Sequence, residues 1–224
     1  TTIAEFTGAG ANRVYKTIDQ IPEDLQHAFV AIEDSRFYKH NGVDIQGIIR
    51  AFVVGIARGG NFTEGASTLT QQLIKNNVFP NFTKEKTFYD KFQRKIQEQY
   101  LAIQVEKQLD KDSILESYLN TINLGQDCLG VQSAAQRYFN KDVNELNLSE
   151  SATIAAITQN PGRYNPITNP EENAKRRKVI LMKMTDQGYI SEQQKEEALA
   201  DDVYSRIQKT AQETEEVSIY SYYT

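Results

Sequence analysis

Apolar residues recur through most of this chain at the three- and four-residue intervals of a helix, and only its two ends carry the alternation of a strand. Leu25, Ala28, Phe29 and Ile32 form an i, i+3, i+4, i+7 stripe. Ile21-Pro22 opens it, with proline at an early helical position where its missing N–H costs nothing. The pattern fades over Asp34–His40, before the stop signal Asn41-Gly42. Glu33, four residues beyond Phe29, falls on the margin of the buried stripe. Further helices are predicted over Thr68–Asn76 (closed by Pro80), Phe92–Leu109, Ser113–Leu124, 130–139, 150–159, 171–187 and 192–200, the last with Ser191 and Gln194 as a capping box. Strand signals are confined to the first dozen residues and to Ser218–Tyr223, and residues 58–66 read as a loop. The fold expected is mainly α.

Composition narrows this picture. A chain of 224 residues, 39% hydrophobic, is long enough to bury the core of one large domain. Its character changes after about Ser205, where an acidic stretch leads into the aromatic run Val217–Thr224. A domain over 1–205 and the start of a linker over 206–224 are therefore expected. The net charge of −5 gives no global basic field, so nucleic acid is not an expected partner and an anionic ligand must meet a local patch. One cysteine, Cys128, excludes an internal disulfide and a Cys/His metal set; two histidines, His27 and His40, support no Ser/His/Asp triad. The longest apolar run, Ala51–Ala57, falls far short of the roughly 20 residues of a membrane span.

Four clusters carry candidate chemistry. In Glu33–His40, a carboxylate beside Phe29 and Phe37 would be desolvated, which suits a general base; the plainer reading is a solvated helix end with a Glu33–Arg36 pair. In Gly65–Asn76, a glycine-bearing loop feeds a helix start, so backbone N–H groups and the Ser67 and Thr68 hydroxyls could meet an anion. Lys75 lies one turn from Gln71 and Gln72, so the three could line one groove; the plainer reading is a loop capped by Ser67 or Thr68. No Gly-Lys-Ser/Thr follows, which sets nucleotide binding aside. Arg94-Lys95-x-x-Glu98 alone is a surface charge pattern, but Lys75, Lys84, Lys86, Lys91, Arg94 and Lys95 gather cations in one stretch of an acidic chain. A phosphate-bearing ligand needs such a patch, and Arg94 offers the fork that matches phosphate oxygens. The fourth cluster, Lys111–Asn120 with Gly125, Gly130-Val131, Ala134-Ala135 and Tyr138-Phe139, reads as scaffold.

Taken in order, these clusters resemble the signatures of the peptidoglycan glycosyltransferases, the family found in class A penicillin-binding proteins and monofunctional transglycosylases. Glu33-Asp34-x-x-Phe37-x-x-His40-x-Gly42 is similar to the first, and Gly65-x-Ser67-Thr68-x-Thr70-Gln71-Gln72-x-x-Lys75-Asn76 to the second. Arg94-Lys95-x-x-Glu98 is similar to the third, and Ile114-Leu115-Glu116-x-Tyr118-Leu119-Asn120 with Gly130–Phe139 to the fourth. Glu150-x-Ala152, Asn160-Pro161 and Tyr164-x-Pro166 form a fifth.

The resemblance implies a lysozyme-like helical head with a smaller membrane-facing jaw, here about residues 43–90 and including the apolar Phe52–Ile56. It implies polymerisation of lipid II, a disaccharide-pentapeptide on undecaprenyl pyrophosphate, with inversion at the anomeric carbon. Glu33 would be the catalytic base, and Glu98 a second catalytic residue in the donor subsite, orienting groups or holding Mg²⁺ or another divalent cation. Lys75 and Arg94 would neutralise the pyrophosphate; Asp34, Phe37, His40, Ser67, Thr68, Gln71, Gln72, Asn76 and Lys95 would complete the substrate-binding set. Lipid II, the growing undecaprenyl-linked strand, the membrane surface and a transpeptidase domain of a parent chain are the partners implied, at the extracytoplasmic face of a bacterial membrane with an N-terminal anchor outside this fragment. One departure stands out: the connection Asn77–Gln93 is long for the family, and Asp90 and Lys91 stand where an additional Arg is expected, so Lys91 or Lys86 would take its place. The rival readings are a lysozyme-like glycan-cleaving enzyme, which would need a carboxylate pair and no phosphate cradle, and a non-catalytic lipid II-binding domain.

Overall fold

Five of the helices start where a side chain caps them. The computed structural model describes residues 14–57, 67–79 and 87–209, and among them there are nine α-helices. These are α1 (Glu23–Glu33), α2 (Ile45–Ala57), α3 (Leu69–Val78), α4 (Phe88–Glu106), α5 (Lys111–Leu119), α6 (Val131–Phe139), α7 (Leu148–Ala155), α8 (Pro170–Asp186) and α9 (Glu192–Ala200). Thr68, Thr87, Asp110, Asn147 and Ser191 each accept a backbone N–H at the start of a helix, satisfying a donor the helix cannot pair itself. An isolated bridge between Asn123 and Leu129 is the one extended pairing among the described residues. The strand signals at the two ends, and the loop 58–66, lie outside the described residues.

The body is built around α1, which packs against α7 and α8, while α3 packs against α4 and α5. Leu25, Ala28 and Phe29 are fully buried, as the stripe predicts, and Phe29 meets Tyr118 of α5 edge-on at 6.0 Å. Burial of each such large side chain contributes roughly 1.5–3 kcal/mol. The core therefore fixes α1 from both sides and sets the direction in which its last residue, Glu33, leaves the helix. The packed chain continues to Gln208, whose N–H donates to the carbonyl of Tyr138, with Val203 and Ile207 buried beneath it.

Three element boundaries differ from the sequence expectation. The helix expected over Ser113–Leu124 ends at Leu119, because Gly125, Gln126 and Asp127 all take left-handed backbone and fold the chain back toward Gly130. The one expected over 150–159 stops at Ala155, and its turn ends on left-handed Gln159. No helix was expected over Ile45–Ala57, yet α2 forms there. Its apolar residues Ile45, Ile49, Phe52, Val53 and Ile56 recur at helical spacing but face outward, 57–66% exposed, rather than into the core. Of the stretch 43–90, α2 and the first turn of α4 carry exposed apolar residues, whereas α3 buries Leu69, Thr70, Gln71 and Ile74 in the body.

Candidate active site

Glu33 ends α1 with its side chain 13% exposed, at the edge of the core. Its Oε1 accepts the Thr158 hydroxyl at 2.6 Å and an N–H of Arg176 at 3.2 Å; its Oε2 accepts the Gln72 amide at 3.0 Å. Gln72 is oriented in turn by Tyr118, whose hydroxyl donates to its Oε1 at 3.3 Å, leaving the NH₂ to face Glu33. Burial, with the charge of Glu33 adding to it, raises the Tyr118 phenol well above its ordinary value, so it remains a donor. Arg176 lies over the Tyr164 ring, 5.0 Å from its centroid, and donates to Gln159 at 2.9 Å.

The neighbouring carboxylate does different work. Asp34 is buried, holding His40 Nε2 at 3.0 Å from both oxygens and accepting the Leu69 N–H at 3.0 Å. A negative charge at the first turn of α3 is favoured by the helix dipole, so Asp34 pins the start of α3 to the end of α1. Thr68, whose hydroxyl donates to the Gly42 carbonyl at 2.7 Å, adds a second pin, and Thr68 with Gln71 forms a capping box. Phe37 is fully buried under Lys111, whose ammonium sits 4.4 Å above its ring. Lys111 also bonds Glu106 at 2.6 Å, and Glu106 accepts the Thr70 hydroxyl and lies 4.0 Å from His40 Nδ1. Asp34, Phe37, His40 and Thr68 are thus placed inside, bonded within the protein, where they join the first two motifs.

A cationic wall stands on α3 and α4. Glu98 is 1% exposed; one oxygen is bonded to Arg94 and the other to Lys95 at 3.0 Å. Lys95 reaches across to the Ser67 hydroxyl at 2.8 Å and Gln71 Oε1 at 3.4 Å, tying α4 to the start of α3. Lys75, half-buried on α3, has its ammonium pushed below the ordinary lysine range by burial, against the opposing pull of Glu98, with Lys95 and Arg94 lowering it further and Glu33 raising it. Lys75 therefore senses both carboxylates and stands between them electrostatically. Asn76 follows it on α3, partly exposed. Lys91 is exposed on the first turns of α4, and Lys84 and Lys86 lie outside the described residues. Around Glu98 the partners are cations, and no group of three metal-type ligands occurs among the described residues, so the donor set does not fit a divalent ion held by the protein.

The structure brings Glu33, Gln72, Lys75, Arg94, Lys95, Glu98, Ser67 and Gln71 together across α1, α3 and α4. Sequence reasoning missed the two residues that hold Glu33 from the far side. Thr158 stands on the turn after α7, beside motif residues that were noticed. Arg176 hides in the run Lys175-Arg176-Arg177-Lys178, which reads as a solvated face.

A carboxylate at the end of a buried helix thus stands opposite a wall of cations in a mainly α, lysozyme-like domain. The transglycosylase family model matches residues 1–185. Penicillin-binding protein 1A of Clostridium perfringens is 46% identical over 189 residues, covering 81% of this chain and 27% of its own length. Its namesake in Aquifex aeolicus is 46% identical over 187 residues (84% and 25%), and penicillin-binding protein 1F of Bacillus subtilis 46% over 180 residues (80% and 24%). The crystal structure of penicillin-binding protein 1A from Haemophilus influenzae superposes with a TM-score of 0.50 at 26% identity, covering 84% of this chain and 17% of that one. The chain belongs to the transglycosylase family. It spans about a quarter of the length of the curated relatives it matches.

Proposed function

We propose that this domain polymerises lipid II, with Glu33 as the general base. Glu33 takes the proton of the acceptor's 4-hydroxyl as that oxygen attacks the donor's anomeric carbon. The bond from that carbon to undecaprenyl pyrophosphate breaks with inversion, and the electron pair leaves on the pyrophosphate. A leaving group already anionic needs charge neutralisation rather than a proton, and Lys75, Arg94 and Lys95 supply it. Glu98 holds Arg94 and Lys95 in place, with both its oxygens engaged in doing so. That single observation carries the reading: a cationic cradle organised by a buried carboxylate has no use in hydrolysis of a neutral glycan, whereas it fits transfer from a pyrophosphate.

The exposed stripe of α2 and the exposed Phe88, Tyr89, Phe92 and Ile96 of α4 support seating on a lipid surface, where the undecaprenyl chain of the substrate resides. Among the described residues no helix is long and apolar enough to cross a membrane, so a separate anchor in the parent chain would complete the attachment, at the extracytoplasmic face. The parent chain would also supply a transpeptidase domain. The test is incubation with fluorescent lipid II in mild detergent, resolved on a gel beside Glu33→Gln. A ladder of long glycans from the parent, reduced by a factor of about 10²–10⁴ in the variant, is expected. A ladder undiminished in the variant would remove Glu33 from the role, and shortening of preformed strands would mean a cleaving enzyme.

A further inference from the structure

The three donors around Glu33 are not shared equally between its oxygens. A carboxylate has about four acceptor positions. Oε1 has both of its own filled, by the Thr158 hydroxyl at 2.6 Å and the Arg176 guanidinium at 3.2 Å; Oε2 has one, filled by Gln72 at 3.0 Å. We infer that Oε2 is the oxygen that takes the acceptor's proton, and that Arg176 and Thr158 are positioning residues that hold Oε1 and so keep the base aimed. This rests on the reading of Glu33 as the base.

The surroundings of Arg176 fit a cation held for one purpose. It is anchored on its far side by Gln159 at 2.9 Å, and it lies over Tyr164 at 5.0 Å. Gln159 adopts φ +68°, a left-handed conformation that costs a non-glycine residue on the order of 1 kcal/mol. The Arg176 Nε–H is buried and finds no acceptor among the described residues. An arginine placed for stability alone would not be expected to lean on a strained Gln159 with one donor of its own unmet. Its position instead satisfies a geometric demand of the reaction. During attack the hydroxyl proton moves to Oε2 while Arg176 and Thr158 continue to donate to Oε1, so the neutral acid that forms keeps its orientation.

The experiment measures kcat and KM for lipid II polymerisation with Arg176→Gln, Arg176→Lys, Arg176→Ala, Thr158→Val and Thr158→Ser, each confirmed as folded by circular dichroism. A loss of kcat of about 10–100-fold in Arg176→Gln and Thr158→Val, with KM within twofold, is expected, since a misplacement of about 1 Å costs up to about 10²-fold. Arg176→Lys and Thr158→Ser should recover part of it, and added guanidinium should restore turnover to Arg176→Ala, which a merely structural role would not allow. Unchanged kcat in Arg176→Gln, a loss confined to KM, or inactivity that neither lysine nor guanidinium relieves would each overturn the inference. Those outcomes leave the base itself standing as long as Glu33→Gln is inactive; an active Glu33→Gln would instead sink the underlying reading and this one with it.

Discussion

Gly42→Ala tests how closely the first motif must approach the helix that carries the cationic wall. Gly42 has φ +89°, and its carbonyl accepts the Thr68 hydroxyl at 2.7 Å. A Cβ there would lie 2.6 Å from both the carbonyl carbon and oxygen of Ala102 and 2.8 Å from the Ile103 nitrogen. All three are backbone atoms of α4, so no side chain can swing aside; α4 or the turn must move by several tenths of an ångström. The left-handed backbone costs about 1–2 kcal/mol for alanine, and forcing packed elements apart a further 1–3 kcal/mol or so. Gly188→Ala is the natural control, because Gly188 has φ +77° but nothing within 4 Å of its would-be Cβ. It carries the conformational cost without the clash. For a domain of this size about 2–4 °C of Tm accompanies each kcal/mol. Thermal unfolding should therefore fall by roughly 4–20 °C in Gly42→Ala and by about 2–8 °C in Gly188→Ala. Glu98 lies one turn before Ala102 on the same helix, so Gly42→Ala should also depress kcat, up to about 10²-fold, where Gly188→Ala should not. Equal Tm losses in the two variants would refute the close-approach argument. A large Tm loss with parental kcat would show that the position of α4 does not govern the site.

Two further outcomes follow from charge and exposure. Asp142 is held below the ordinary carboxyl range by Lys16, and Asp201 by Arg206; at Asp44 burial pushes upward but the Gly47 amide and Arg36 outweigh it. Carboxyls depressed in the folded state stabilise it above the ordinary range and lose that contribution as pH falls through their folded values. Tm should hold between pH 7 and about 5 and decline below about pH 4. A Tm unchanged at pH 3 would contradict it. At the α2 surface, Ile49→Asp with Val53→Asp should abolish sedimentation with phosphatidylglycerol-containing vesicles while leaving Tm within about 2 °C, since these side chains are 57% and 58% exposed. Undiminished sedimentation would remove this face from the membrane contact.

Much of the helical body was legible because a core stripe or a cap marks most of its helices locally. At α1 the stripe residues Leu25, Ala28 and Phe29 are all fully buried. At α9 the Ser191–Gln194 capping box forms as read. The site was legible only where motif residues are near one another in sequence. Thr158 and Arg176 reach Glu33 across 125 and 143 positions, and no local period encodes such a meeting. A signal did exist for part of it. Asn173, Arg177, Ile180, Leu181 and Met184 share one buried face of α8, so Arg177, bonded to Ser149 at 2.8 Å, sits on a core stripe within an otherwise charged run. A charge on an apolar stripe points to a buried partner, and Arg176 is its immediate neighbour at the margin of that face.

Four carboxylates crowd this region, and their surroundings leave one free to act. Asp34 is spent on His40 and on the first turn of α3; drawing a proton onto it would loosen the joint between the first two motifs. Glu106 is engaged by Lys111 and Thr70 beneath the same joint. Glu98 is enclosed by Arg94 and Lys95, with both of its oxygens engaged in holding them. Among these four, Glu33 combines a partly exposed side chain with an oxygen, Oε2, bonded by the neutral Gln72 amide, while the Arg176 guanidinium sits on the other oxygen. The division follows from position rather than residue type. A carboxylate whose two oxygens each hold a cation is committed to positioning them, whereas Glu33 has one oxygen bonded only by the neutral Gln72 amide.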